Sequence, residues 1–121
     1  MRYLVFFFMV SFCLTALAEI EPSESYLDFF EVEVGESEFL EFELQNNHPF
    51  TVSIYNIDLN ADFSIFDIND NCLGVLHPGD YCYIEVIFSP NDVDDYLGYI
   101  EVETSTNEWI QVSLEGEGVR W

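Results

Sequence analysis

The sequence predicts an all-β chain, an antiparallel β-sandwich of about seven short strands preceded by a signal peptide. Three observations predict it. Beyond residue 18, apolar residues recur with a period of two over nearly the whole length, which is the mark of half-buried strands. Turn-forming residues interrupt these runs about every 8 to 15 residues. No amphipathic helical pattern of about ten residues occurs. With 121 residues the chain is the size of one domain.

Residues 1–18 stand apart. Arg2 is a minimal positive start, Tyr3 to Leu14 is an almost unbroken apolar run, and Ala16 and Ala18 form the small-x-small pattern of a signal-peptidase site. Cleavage would leave Glu19 first and a single domain over residues 19–121. A membrane anchor needs about 20 apolar residues, and this run is shorter and meets acidic residues at once. No stable membrane anchor is expected after cleavage. Cys13 invites a lipoprotein reading, but Phe12 stands where a small residue belongs, so Cys13 goes with the discarded segment.

The strands follow in order. Phe30, Val32 and Val34 alternate with Glu31 and Glu33 and form the first. Gly35-Glu36-Ser37 turns the chain into Leu40, Phe42 and Leu44, which alternate with Glu41 and Glu43. Asn46-Asn47-His48-Pro49 is the next turn. Val52 and Ile54 form the third strand, and Asp58 to Asp62 reads as a polar link. Phe63, Ile65 and Ile68 make a shorter strand. Pro78-Gly79-Asp80 has Pro and Gly placed for a type II turn. Ile84, Val86 and Phe88 form the fifth strand, closed by Pro90, which cannot continue a ladder. Ile100 and Val102 form the sixth, ended by Ser105-Thr106-Asn107. Ile110, Val112 and Leu114 form the seventh, which Gly116 and Gly118 are expected to release from the sheet.

The charge is lopsided. The chain carries 24 Asp and Glu against 2 Lys and Arg, a formal charge of -22. Loss of Arg2 with the leader leaves 24 acids facing Arg120 alone, or -23. Such a surface repels phosphate backbones, so no nucleic-acid partner is expected. Half of the residues are hydrophobic and 17% are aromatic, which excludes a disordered acidic tail. The alternation reconciles charge with folding, because the carboxylates take the outward positions. Their mutual repulsion predicts higher stability in salty medium.

Export also accounts for the cysteines. The mature chain keeps Cys72 and Cys82, and an even number in an oxidising compartment implies one disulfide, closing a loop that holds His77, Pro78 and Gly79. A zinc pair is the rival, but the spacing is too wide for Cys-x-x-Cys and histidines do not flank it at ligand spacing.

The second half carries a family pattern. It runs Phe63-Ser64-Ile65, Cys72-Leu73-Gly74, Leu76-His77-Pro78-Gly79-Asp80-Tyr81-Cys82, then Phe88-Ser89-Pro90, Gly98-Tyr99-Ile100-Glu101-Val102, and Val112-Ser113-Leu114-Glu115-Gly116-Glu117-Gly118. In the first half, Val34-Gly35-Glu36-Ser37 precedes a strand ending Leu44-Gln45-Asn46. Over roughly residues 25–118 this resembles the choice-of-anchor D repeats of exported bacterial proteins. Those are related to the abnormal-spindle and hydin (ASH) domains, and more distantly to major-sperm-protein and PapD-like folds. The resemblance implies an immunoglobulin-like β-sandwich and a non-catalytic scaffold for binding or assembly. Members often occur as repeats in larger surface proteins, whereas this chain has a single copy, which suggests a small soluble exported protein.

Candidate chemistry is sparse. Carboxylate pairs suited to glycoside hydrolysis are inevitable by chance among 24 acids, and their outward placement reads as solvation. Asn91, Asp92, Asp94 and Asp95 form a weak calcium candidate without EF-hand spacing, and Asp67, Asn69, Asp70 and Asn71 form a similar cluster. Asn and Asp are equally ordinary turn formers. Weak divalent-cation binding is the more general expectation. His48 and His77 each precede a proline in a turn, with no nucleophile to match, and read as exposed turn residues. Tyr83, Tyr99 and Trp109 fall on outward positions of the fifth, sixth and seventh strands. If those strands are neighbours, the rings would line one platform for a sugar or a protein. The sequence thus points to a secreted or periplasmic protein that binds rather than catalyses, without a cofactor. Its expected partner is another protein, met on a sheet face or by strand addition. A carbohydrate-binding module is the alternative.

Overall fold

The computed structural model describes residues 19–121, so the expected signal peptide lies outside the described residues. Nine strands make up the described chain. They are β1 (Ile20–Pro22), β2 (Tyr26–Glu33), β3 (Glu38–Asn46), β4 (Val52–Asn60), β5 (Phe66–Asp70), β6 (Gly74–Leu76), β7 (Tyr81–Phe88), β8 (Asp94–Thr104) and β9 (Ile110–Val119). They form two sheets, one of five strands in the order β2-β9-β8-β4-β6 and one of four in the order β1-β3-β7-β5. This is the all-β, immunoglobulin-like sandwich that the sequence predicts. The short strands β1 and β6 carry too few residues for a periodic signal.

Alternation places the core. On β7, Cys82, Ile84, Val86 and Phe88 are buried, while Tyr81 and Tyr83 are exposed. On β9, Ile110, Val112 and Leu114 are buried with Gly116 and Gly118 beyond them. Phe29 from one sheet meets Phe66 and Phe88 from the other at ring-centroid distances of 6.1 and 5.3 Å, and those two rings stack 5.1 Å apart. Such aromatic contacts add about 0.5–1.5 kcal/mol beyond the area they bury. Among the described residues no Asp or Glu is buried, and Asn46 and Thr104 are the buried polar residues.

Five expectations are corrected. The first strand faces the core with Phe29 and Val32, while Phe30 is 72% exposed. A bulge explains the slip, because β2 has an extra residue opposite Glu115–Glu117, and Phe30 takes a left-handed φ of 58°. The shorter strand begins at Phe66, not Phe63. Asp62 to Ile65 form a turn in which the Asp62 carbonyl accepts the Ile65 and Phe66 amides, leaving Phe63 exposed. The link read at Asp58–Asn60 belongs to β4, which continues past a bulge at Ile54–Asn56. The pairing is not wholly antiparallel, since β2 joins β9 in parallel. Lastly, Gly116 and Gly118 do not release the final strand. A Cβ on Gly116 would stand 2.5 Å from the Phe88 ring, and one on Gly118 would strike the Asp92 carbonyl, so both glycines admit close neighbours within a continuing ladder.

The Cys72–Cys82 disulfide forms, with Cα atoms 5.1 Å apart. Inside its loop the His77 carbonyl accepts the Asp80 amide at 3.0 Å and Gly79 has φ +81°, the geometry of the expected type II turn.

Candidate functional site

The two sheets separate the three rings of the expected platform. Tyr83 lies on β7, on the outward face of the four-stranded sheet, whereas Tyr99 on β8 and Trp109 at the start of β9 belong to the five-stranded sheet. One surface therefore cannot hold all three. Tyr83 and Trp109 are exposed and Tyr99 is half-buried, and alternation carries no information on which strands are neighbours.

The loop candidates for calcium do not converge either. Among the described residues no group of three or more His, Cys, Asp or Glu is placed to hold a metal ion. The Asp92 and Asp94 carboxylates each accept the next residue's amide, and Asn91 accepts the Tyr96 hydroxyl at 3.4 Å. In the second cluster, Asp70 accepts the Cys72 and Leu73 amides and Asn71 accepts the Tyr83 amide. These groups shape turns. Burial and the charges of Asp92 and Asp94 push the Tyr96 hydroxyl up.

His77 is the exposed turn residue expected, 3.2 Å from the Thr51 hydroxyl. His48 is not. It is half-buried, stacked on Phe50 at 4.8 Å, with Nε2 2.5 Å from Glu108 Oε1. The same carboxylate accepts the Thr106 hydroxyl at 2.5 Å and the Ile20 amide at 2.7 Å. Glu108 thus ties β1, the β3–β4 loop and the β8–β9 turn together. Burial pushes its carboxyl up, but hydrogen bonds from Thr106, His48 and Ile20 outweigh that and hold it below the usual glutamate value. Nothing in the local sequence marks this cluster, since its members are up to 88 residues apart.

Beside Glu108 lies a groove of about 460 Å³ on the outward face of the five-stranded sheet. Tyr55, at the β4 bulge, and Trp109 flank it, exposed to 66% and 77%. Its floor carries Asp58, Glu101 and Glu103. Register sets this grouping, because Asp58 pairs with Glu101 and Asn56 with Glu103, while Trp109 directly precedes Ile110, the partner of Val102. Trp109 Nε1 is 3.4 Å from Gln111 Oε1, which holds the indole along the strand. A second groove of about 460 Å³ opens at the far end of the same face, between Phe30 and Trp121, over Asp28, Glu31, Asp95 and Glu117. Beside the second groove, the Tyr26 hydroxyl donates to Glu115 at 2.5 Å and reaches Asp28 at 3.3 Å. The Glu115 hydrogen bond, then burial and the Asp28 and Glu115 charges, push its pKa up to about 12.

Two packed sheets of nine strands with one parallel edge pair define an immunoglobulin-like sandwich. The HYDIN/CFA65/VesB-like, Ig-like domain family matches residues 18–117, and the chain belongs to that family. No curated protein matches the sequence. The ASH/PapD-like domain 7 of human CEP192 is similar over 95% of both chains, with 16% identity and a TM-score of 0.72. The secreted serine protease VesC of Vibrio cholerae is similar over 85% of this chain, with 17% identity and a TM-score of 0.66. Vibrio cholerae VesB protease matches 82% of it, with 14% identity and a TM-score of 0.67. The chain spans about a quarter of VesC and a third of VesB, so these likenesses concern the fold of one part of each protease.

Proposed function

We propose that this protein is exported, loses residues 1–18, and acts through residues 19–121 as a non-catalytic domain that binds another protein. The observation that carries this reading is the outward face of the five-stranded sheet. It displays Tyr55 on β4, Leu97 on β8 and Trp109 just before β9 to solvent, above strands whose other face packs into the core. Tyrosine and tryptophan on a rigid face are the side chains that dominate protein interfaces, since they contribute large contact area at low entropic cost. The apolar leader sequence, the disulfide and the likeness to part of a secreted protease support export. Membership of an Ig-like domain family supports binding rather than catalysis.

The test has two arms. N-terminal sequencing of protein recovered from its native envelope or culture medium is expected to begin at Glu19. The purified mature domain, immobilised and exposed to the exported proteins of the same source, is expected to retain a partner saturably, and Trp109→Ala should weaken that retention. Retention of no partner would overturn the reading. Binding to a glycan array that Trp109→Ala abolishes would replace it with the carbohydrate-binding module.

A further inference from the structure

Building on the binding-domain reading, we infer that the outward face of the five-stranded sheet docks a basic, extended segment of the partner. One arginine or lysine of that segment sits between Tyr55 and Trp109, over Glu101 and Glu103.

Charge and geometry together select the ligand. Asp58, Glu101 and Glu103 share the groove floor, and no lysine or arginine lines it. Like charges opposite one another across a ladder destabilise it, and a bound cation removes that repulsion. No lysine or arginine side chain of the chain supplies the cation. Outside residues 1–18 its one basic residue of the Lys and Arg type is Arg120, just past β9, whereas the groove lies at the start of that strand. The ten steps along the chain from Trp109 to Val119 span about 33 Å. The groove walls sharpen the choice. An arginine or lysine over a tyrosine or tryptophan face gains a cation–π attraction, and a guanidinium also stacks. A neutral sugar would stack on the same rings but leave the carboxylates uncompensated, and an anionic ligand would be repelled.

The second groove argues for a chain of cations rather than a single amine. It repeats the pattern of exposed aromatic rings over carboxylates at the other end of the same face, with Phe30 and Trp121 above Asp95 and Glu117. Glu103 and Asp95 are eight residues apart on β8, about 26 Å of strand. An extended segment of about eight residues, basic at both ends, reaches both.

A fluorescein-labelled octa-arginine peptide titrated into the mature domain at about 0.15 M salt, read by anisotropy, tests this. Nonspecific attraction to so acidic a protein is controlled by matched charge removal on the two sheets. The pair Glu101→Gln and Glu103→Gln is expected to weaken binding about ten-fold or more. The pair Glu41→Gln and Glu43→Gln, on the four-stranded sheet, should change it less than about two-fold. Trp109→Ala, which alters no charge, should cost about two- to five-fold, the scale of an exposed cation–π contact. On the intact domain, amide chemical-shift changes should fall at residues 55–58 and 101–109 and, in the second groove, at Phe30, Asp95 and Glu117, and spare β3. Equal losses from the two glutamine pairs, or full binding by Trp109→Ala, would overturn the proposal. If that happens while the immobilised domain still retains a partner, the basic-segment proposal fails and the binding-domain reading stands.

Discussion

Asn46 offers the sharpest test of how the domain is held together. Its side chain is fully buried at the end of β3. The amide donates to the Leu76 carbonyl at 2.8 Å and to the Phe50 carbonyl at 2.9 Å, and Oδ1 accepts the His48 amide at 2.9 Å. One side chain thus joins β3, the β3–β4 loop and β6. Asn46→Ala keeps the backbone bonds of this residue to Asp80 and Gly79 but orphans three polar groups. A buried group left unpaired costs about 1–3 kcal/mol, and partial hydration of the loop groups lowers the sum, giving a loss of about 2–5 kcal/mol. For a domain of this size the lower bound is a fall in melting temperature of at least about 8 °C. Urea unfolding followed by circular dichroism should show the midpoint drop with little change in slope. Asn47→Ala, which removes only an exposed bond to Glu21, should stay within about 0.5 kcal/mol. A loss below about 1 kcal/mol for Asn46→Ala, or equal losses for both variants, would refute the argument that buried amide bonding organises this corner.

Three further outcomes follow from other elements. Reduction of Cys72–Cys82 reopens a loop of sequence separation 10 and should lower stability by about 2–3 kcal/mol, so an identical melt with and without reductant would deny the bridge a stabilising role. Gly116→Ala drives a methyl into the Phe88 ring and should cost about 1–3 kcal/mol by overpacking, measured by denaturant titration, and a neutral result would mean that the ring moves freely. Because the folded-state value of Glu108 lies below its unfolded one, its contribution is complete above about pH 4.5 and is lost as pH falls through the lowered folded value. The protection of the Ile20 amide, its exchange rate relative to the intrinsic rate at the same pH, should therefore fall in that acid window, and Glu108→Gln should abolish the dependence.

Much of the fold is legible in the sequence because period-two alternation is a local property. Leu40 to Leu44 and Ile84 to Phe88 each declare their own inward face, and the type II turn at Pro78-Gly79 declares its geometry from two residues. Local reading fails where the backbone departs from regular pleating. The positive φ at Phe30 swaps which phenylalanine enters the core, and no neighbour in sequence announces it. Asn46 and His48 look like ordinary turn residues, yet partners up to 60 residues away bury them and give them bonds to close.

Alternating side chains dictated that extended segments would bury oily faces beneath a coat of carboxylates, and the pair of remaining cysteines dictated the staple. The order of strands within each sheet came from packing between residues distant in the chain. That order parted Tyr83 from Tyr99 and Trp109, and it set Tyr55 opposite Trp109 over Glu101 and Glu103. The physical reason is that facing in or out follows from each residue's place along its own strand, whereas neighbourhood is a compromise reached by the whole core at once.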